Sequence, residues 1–463
     1  MKFPKVKSKP AIHDIDMCSG SILKKMILFA VPIMFSGILQ ILFNAADIIV
    51  VGQFAGDNAL AAVGANTSFI NLLTNLFMGL SIGANVLIAR LYGAKNQKDL
   101  DRAVHTAMLL SIYSGILMTI IGITSARYIL VLMKTPAEVL DQAVVYLRIY
   151  FIGVTSTMIY NFGSAVLRAI GDTKRPLYFL IIAGIINVIL NLIFVIVFGM
   201  GVAGVAIATA IAQSVAAFLI IKCLSRKDSA VCLVIRHLHI HKNVFFRILK
   251  IGLPAGIQGI IFSLSNVVIQ SSVNLFGETV VAGNSAAANI ESFAYFSMTA
   301  FYQATISFTS QNFGAGKYKR INKIFIVGEI CVFVVGICIG NAIALGGSTL
   351  LCIYTSNPSV IEAGMHRIAI ICTTYVLCGM MEVVVGALRG IGYSIIPMLV
   401  SLVGVCGIRL VWIATVFQKA QYHNPTTVYL SYPISWAITF LVLVICFIIL
   451  KKKISRSDTH NIY

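Results

Sequence analysis

Apolar residues run through this chain in long blocks, broken by short stretches rich in polar and basic side chains. Blocks able to cross about 30 Å of hydrocarbon fall at roughly 26–51, 59–89, 103–124, 139–167, 176–199, 202–222, 247–276, 280–311, 323–345, 359–388, 395–418 and 428–450. The pattern predicts an all-α, polytopic membrane protein of twelve transmembrane helices. Several blocks exceed the 20 or so residues a bilayer strictly needs, so tilted or extended helices are expected. The first block follows lysines, as in a secretory leader, but it is about 26 residues long and lacks a small-residue cleavage site, so it reads as a first membrane helix.

The pattern is also duplicated. Leu167-Arg-Ala-Ile-Gly-Asp-Thr-Lys-Arg-Pro176 returns as Leu388-Arg-Gly-Ile-Gly-Tyr-Ser-Ile-Ile-Pro397, a period of roughly 220 residues, far too long for a solenoid. Tyr92-Gly-Ala-Lys95 returns at the same spacing as Phe313-Gly-Ala-Gly316, and Pro32, Gly37 and Asn44 return at nearly that spacing as Pro254, Gly259 and Asn266. A repeat this long in an apolar chain predicts two pseudo-symmetric six-helix bundles around a central cleft. The expected divisions are an N-terminal tail (1–25), an N-lobe (26–222), a linker (223–246), a C-lobe (247–450) and a C-terminal tail (451–463).

Composition agrees: 59% of residues are hydrophobic and 11% charged, against about 25% charged in a soluble domain. The net charge of +19 would suit nucleic acid, but 29 of the 35 Lys and Arg residues lie in the tails, the linker and alternate loops, or close beside them. That asymmetry marks the cytoplasmic side and places both termini there, with contact to anionic lipid as a secondary consequence. Each repeat has an even number of spans, so the two halves insert in the same orientation. The ten cysteines form no CxxC pair and mostly sit in apolar blocks as small hydrophobes. His237, His239 and His241 alternate in the basic linker, where a solvated loop outweighs a metal site.

Acids inside the membrane are costly and need a cavity, a partner or a proton. Four fall within spans: Asp47, Glu291, Glu329 and Glu382. Asp47 lies about 6 Å below the outer end of span 1, with Asn187 and Asn191 on one face of span 5 and Thr209 on span 6 at roughly 10–18 Å. One carboxylate, two amides and a hydroxyl would suit a small hard cation or a proton, or would simply bond helices together. Gln40 and Asn44 could line the same cavity. In the second half Glu291, Arg367 and Arg409 share a depth of roughly 14–16 Å, so Glu291 could pair with either arginine or act in a second-lobe substrate or cation site. Glu382 has no basic partner at its depth and is a candidate for that second site, whereas Glu329 reads as interfacial near an inner helix end.

The chain resembles the multidrug and toxic compound extrusion (MATE) transporters over nearly its whole length. The resemblance rests on Asn-Ala-Ala-Asp47-Ile-Ile-Val-Val-Gly52 with Ala-Leu-Ala-Ala-Val-Gly64, on the repeated motifs above, on Gly201-Val-Ala-Gly-Val-Ala-Ile-Ala-Thr209 and on Leu-Pro-Ala-Gly256. It implies a monomeric, multi-pass carrier of the bacterial inner membrane with alternating access, exporting organic, often cationic, compounds in exchange for Na⁺ or H⁺. No cofactor and no enzymatic activity are implied. Asp47 matches the acid of the first helix used for cation coupling, Asn187 the N-lobe asparagine, and Thr209 the sixth-helix hydroxyl. Asn191 stands where the similar DinF-like bacterial branch usually has aspartate, and Phe262 where the NorM branch has glutamate. The alternative is a lipid-linked oligosaccharide flippase of the same superfamily, which would use Arg148, Arg367 and Arg409 to hold pyrophosphate.

Overall fold

The computed structural model describes residues 15–226 and 231–460, and every regular element among them is helical. The first half holds α1 (Ile22–Phe54), α2 (Asp57–Gly93), α3 (Gln97–Leu132), α4 (Ala137–Ile170), α5 (Lys174–Leu192) and α6 (Gly201–Leu224), with a π-helical turn at Ile193–Val197 after α5. The second holds α7 (Lys242–Val273), α8 (Glu278–Gly314), α9 (Tyr318–Cys352), α10 (Pro358–Gly390), α11 (Ile395–Ser401), α12 (Ile408–Thr415) and α13 (Pro425–His460). A second π turn, Leu402–Gly407, joins α11 to α12 as one span. All twelve expected spans are therefore helices.

Eleven stretches are long and apolar enough to cross a membrane. The exception is α8, which has 37 residues but keeps Asn284, Glu291, Thr305 and Asn312 on its buried side. Several helices outrun their apolar blocks. α3 begins at Gln97 because Asn96 caps it, its Oδ1 accepting from Asp99 N at 3.2 Å; hydropathy marks the hydrocarbon, while the cap marks the helix end. Large apolar side chains cover the exterior, Leu345 being 89% and Ile353 77% exposed, a surface that hydrocarbon tolerates and water does not.

The repeat has a physical basis in backbone conformation. Positive φ occurs at Gly56 and Gly277, Lys95 and Gly316, and Gly171 and Gly392, each pair separated by the period of the repeated motifs. Gly171 (φ 107°) ends α4 in the left-handed region, where a Cβ is strained, and a Cβ there would also come within 2.5 Å of the Ile15 carbonyl oxygen. The Ile-Gly step of the duplicated motif is thus a helix stop.

The described residues fall into two compact units. One holds Phe35–Gly256 and the residues before Met17; the other holds Met17–Met34 and the residues from Ile257 onward. In the first, α4 packs against α2, α3 and α6; in the second, α10 packs against α8, α9 and α13. α1 passes from one unit to the other two residues beyond Pro32, and α7 does so two residues beyond Pro254. Within the first unit the start of α7 lies on α2 at backbone contact: a Cβ on Gly252 would sit 2.6 Å from Leu80 Cα and 2.8 Å from the Gly79 oxygen.

The linker keeps His237 and His239 exposed, as a solvated loop would, and is also tied to the protein surface. Val231 and Leu233 are buried, Val234 N donates to His105 Nε2 (3.1 Å), and His241 N donates to Thr106 Oγ1 (3.2 Å). Burial, followed by Arg102 and the neighbouring His239 and His105, holds the His241 imidazole below its ordinary pKa. No cluster of His, Cys, Asp and Glu suited to a metal occurs among the described residues.

Candidate functional site

Asp47 sits one helical turn beyond Phe43 on α1. The Phe43 ring lies against Gly184 of α5, where any side chain would collide with it. This missing Cβ brings α1 onto the face of α5 that carries Asn187 and Asn191, spaced four residues apart and both buried. Asp47 Oδ1 accepts from Asn191 Nδ2, and its Oδ2 accepts from Thr209 Oγ1 at 3.4 Å. Asn187 Nδ2 donates to Thr209 Oγ1 (3.2 Å), and Asn191 Nδ2 also approaches Asn187 Oδ1 (3.4 Å). Three helices thus bring the four predicted residues into one hydrogen-bonded group.

Asp47, Asn187 and Thr209 line a cavity of about 240 Å³, to which Gln40 and Asn44 also contribute, whereas Asn191 is fully buried and does not line it. Tyr150, Asn161 and Gln213 line it as well and were not anticipated. Gln213 could have been found, since it lies four residues after Thr209 on α6. Asn161 could have been found from the repeat, which sets it opposite Glu382. Among the described residues no basic side chain stands within ion-pair distance of Asp47. Asn191 Oδ1 is enclosed and receives no hydrogen bond. A half-buried carboxylate and an orphaned amide oxygen form an acceptor-rich set that a proton or a small hard cation would satisfy.

The second unit spends its charges differently. Arg367 grips Glu291 with two bonds, Nε to Oε1 at 2.7 Å and Nη2 to Oε2 at 2.8 Å, and its Nη1 donates to Asn284 Oδ1 at 2.6 Å. Both side chains are buried, so of the two arginines at Glu291's depth Arg367 takes it. Glu382 is half-buried and apart from this pair; its electrostatic neighbours are Tyr295, Tyr302 and Arg389. Arg389 itself is bound to the Tyr302 hydroxyl and to Gln258 Oε1 (2.7 Å). Glu329 overturns its interfacial reading: it lies eleven residues into α9, and both carboxylate oxygens are enclosed without a partner. The neighbouring Gly328 lets α9 approach Thr305 and Val383 closely, which removes the water an interfacial acid would keep.

Known proteins place the architecture. The MatE family model matches residues 32–193 and again 254–415. The chain is 27% identical over 460 residues to the probable multidrug resistance protein YoeA of Bacillus subtilis, covering 97% of each chain. It is 30% identical to the probable multidrug resistance protein YpnP of the same organism, over 84% of this chain and 87% of the relative. A multidrug resistance MATE family transporter solved in an outward-facing conformation superposes with a TM-score of 0.89 at 21% identity, over 97% of this chain and all of that one. Two family matches, one on each repeat, join the duplicated motifs and the twelve helices in one conclusion: the chain belongs to the MatE family, the multidrug and toxic compound extrusion transporters, and is a membrane carrier, not an enzyme.

Proposed function

We infer that this carrier exports organic compounds across the bacterial inner membrane in exchange for Na⁺ or H⁺, with Asp47 as the coupling residue. The observation that supports this is the Asp47 group: a carboxylate on a cavity wall, without a counter-cation, held by an amide and a hydroxyl from two other helices. When the ion arrives, Asp47 supplies the charge, while Asn187, Asn191 and Thr209 orient their oxygens toward it. Gln40 and Asn44 line the approach. Binding can drive transport only if the ion prefers one conformation. α1 is the natural responder, because it carries Asp47 in one unit and its Pro32-containing start in the other, and proline cannot donate to the helix ladder. Glu291 is assigned to structure, since Arg367 already neutralises it. The basic asymmetry of the loops supports cytoplasmic termini.

The test is dye efflux from proteoliposomes under an imposed Na⁺ or pH gradient, with wild type beside Asp47→Asn. Wild type should respond to one of the gradients and Asp47→Asn to neither. Gradient-driven efflux that survives the substitution removes Asp47 from the mechanism; no gradient response in wild type removes antiport altogether. The flippase reading has less support, because Arg367 is occupied by Glu291 and Arg148 is exposed.

A further inference from the structure

Arg409 is a buried charge that neither the coupling group nor the Glu291 pair uses. It is 4% exposed, and its Nε donates to Ser435 Oγ at 2.9 Å. Its guanidinium carbon lies 4.1 Å from the Tyr432 ring centroid and 5.4 Å from that of Trp436. Nη2 is enclosed and bonds to nothing, and no carboxylate among the described residues pairs with it. The acid at its own depth, Glu291, has both oxygens committed to Arg367. Rings cover the guanidinium and Ser435 takes Nε, so the enclosed Nη2 is a donor left without an acceptor. The terminal edge of a guanidinium matches the two oxygens of a carboxylate.

The repeat explains why no protein acid serves. α5 begins at Lys174 and α11 at Ile395, one period of the repeat apart, so a plain count sets Asn187 opposite Ile408. In the second half, however, the π turn Leu402–Gly407 comes before this point, whereas in the first half the π turn Ile193–Val197 comes after it. A π turn bonds i to i+5 and holds one residue more than an α turn. Arg409 therefore occupies the place of Asn187, at the same 222-residue offset that separates both the starts and the ends of the two family matches. At that same offset the counterpart of Asp47 is Ile269, which is buried and apolar. One repeat builds an acceptor set for a cation. The other puts a fixed cation at the same place and deletes the acid that would have neutralised it.

We propose that Arg409, flanked by Tyr432 and Trp436, is a receptor for the carboxylate of an organic substrate, so that the cargo includes carboxylate-bearing compounds. This rests on the export reading, but the site can be tested by binding alone. The probes are rhodamine B and its ethyl ester, which differ only in whether the carboxylate is free, titrated by fluorescence anisotropy onto the full-length protein in detergent. Wild type should bind the acid about tenfold more tightly than the ester, the gain expected of a charge-assisted bond at a desolvated site. Arg409→Met should bring the acid down to the ester's affinity, and Arg409→Lys should keep part of the preference; circular dichroism and gel filtration verify the fold of both. Equal binding of the two dyes, no binding of either, or a preference that survives Arg409→Met overturns the proposal. So does displacement of the acid dye by pyrophosphate but not by benzoate. Selective binding by a protein that moves neither dye under any gradient would uphold this site and defeat the export reading.

Discussion

Removing Arg367 alone should damage the protein far more than removing Arg367 and Glu291 together. The pair is buried at 7% and 5% exposure, with two nitrogen–oxygen contacts of 2.7 and 2.8 Å. Truncation to Arg367→Met leaves an unpaired carboxylate where solvent cannot reach it, and also frees Asn284 Oδ1. The expected loss is about 3–5 kcal/mol, most of it the desolvation of the abandoned charge and not the worth of the bond. Glu291→Gln strands the guanidinium instead and should cost a similar amount. The double variant removes both charges and keeps similar volumes, so it should stay within about 2 kcal/mol of wild type. The coupling between the two sites then exceeds about 2 kcal/mol. Reversible unfolding in mixed micelles of dodecyl maltoside and SDS, followed by circular dichroism, reads all four proteins. Singles that lose less than about 1 kcal/mol, or a double no more stable than the worse single, would refute the reasoning. Normal stability with lost ion dependence in Glu291→Gln would instead give Glu291 a coupling role.

Asn191→Ala removes one of the two donors to Asp47 and should raise the half-saturating concentration of the coupling ion roughly tenfold, by the worth of one charge-assisted bond, in the proteoliposome assay. Gly252→Ala places a methyl group against the backbone of α2 and should destabilise the first unit by about 1–3 kcal/mol, read by the same micelle titration. A wild-type-like midpoint would mean that α7 yields there at no cost. The linker should loosen in acid. His241 is held below its ordinary pKa, so the unfolded linker binds the proton more tightly and the tie is present above about pH 6.5 and lost as pH falls below it. Amide exchange at residues 238–241, corrected for intrinsic rate, should rise between pH 7.5 and 5.5 in wild type and stay flat in His241→Gln.

Pro32 and Pro254, the left-handed glycines and the apolar blocks state their roles locally, because ring closure, a missing Cβ and transfer from water act on the residue itself. The helices, their duplication and the family could therefore be read from the chain alone. So could the grouping of Asp47 with Asn187, Asn191 and Thr209, since depth follows from counting along straight helices. Rotation about the helix axis does not follow from counting. Each residue turns a helix by about 100°, so a small error in phase decides which side chains meet. Glu291 had two arginines at its depth, and only the packing of α8 on α10 awarded it to Arg367. Glu329 looked interfacial until the close approach of α9 to Thr305 enclosed it. The π turn that carries Arg409 into the place of Asn187 changes the count by one residue, and no residue type announces it. The amino-acid sequence by itself determined the spans, the repeat and the acids that must be accommodated. The tertiary structure decided which of those charges are neutralised inside the protein and which are left for a ligand, because pairing depends on distances of a few ångströms between helices that are far apart along the chain.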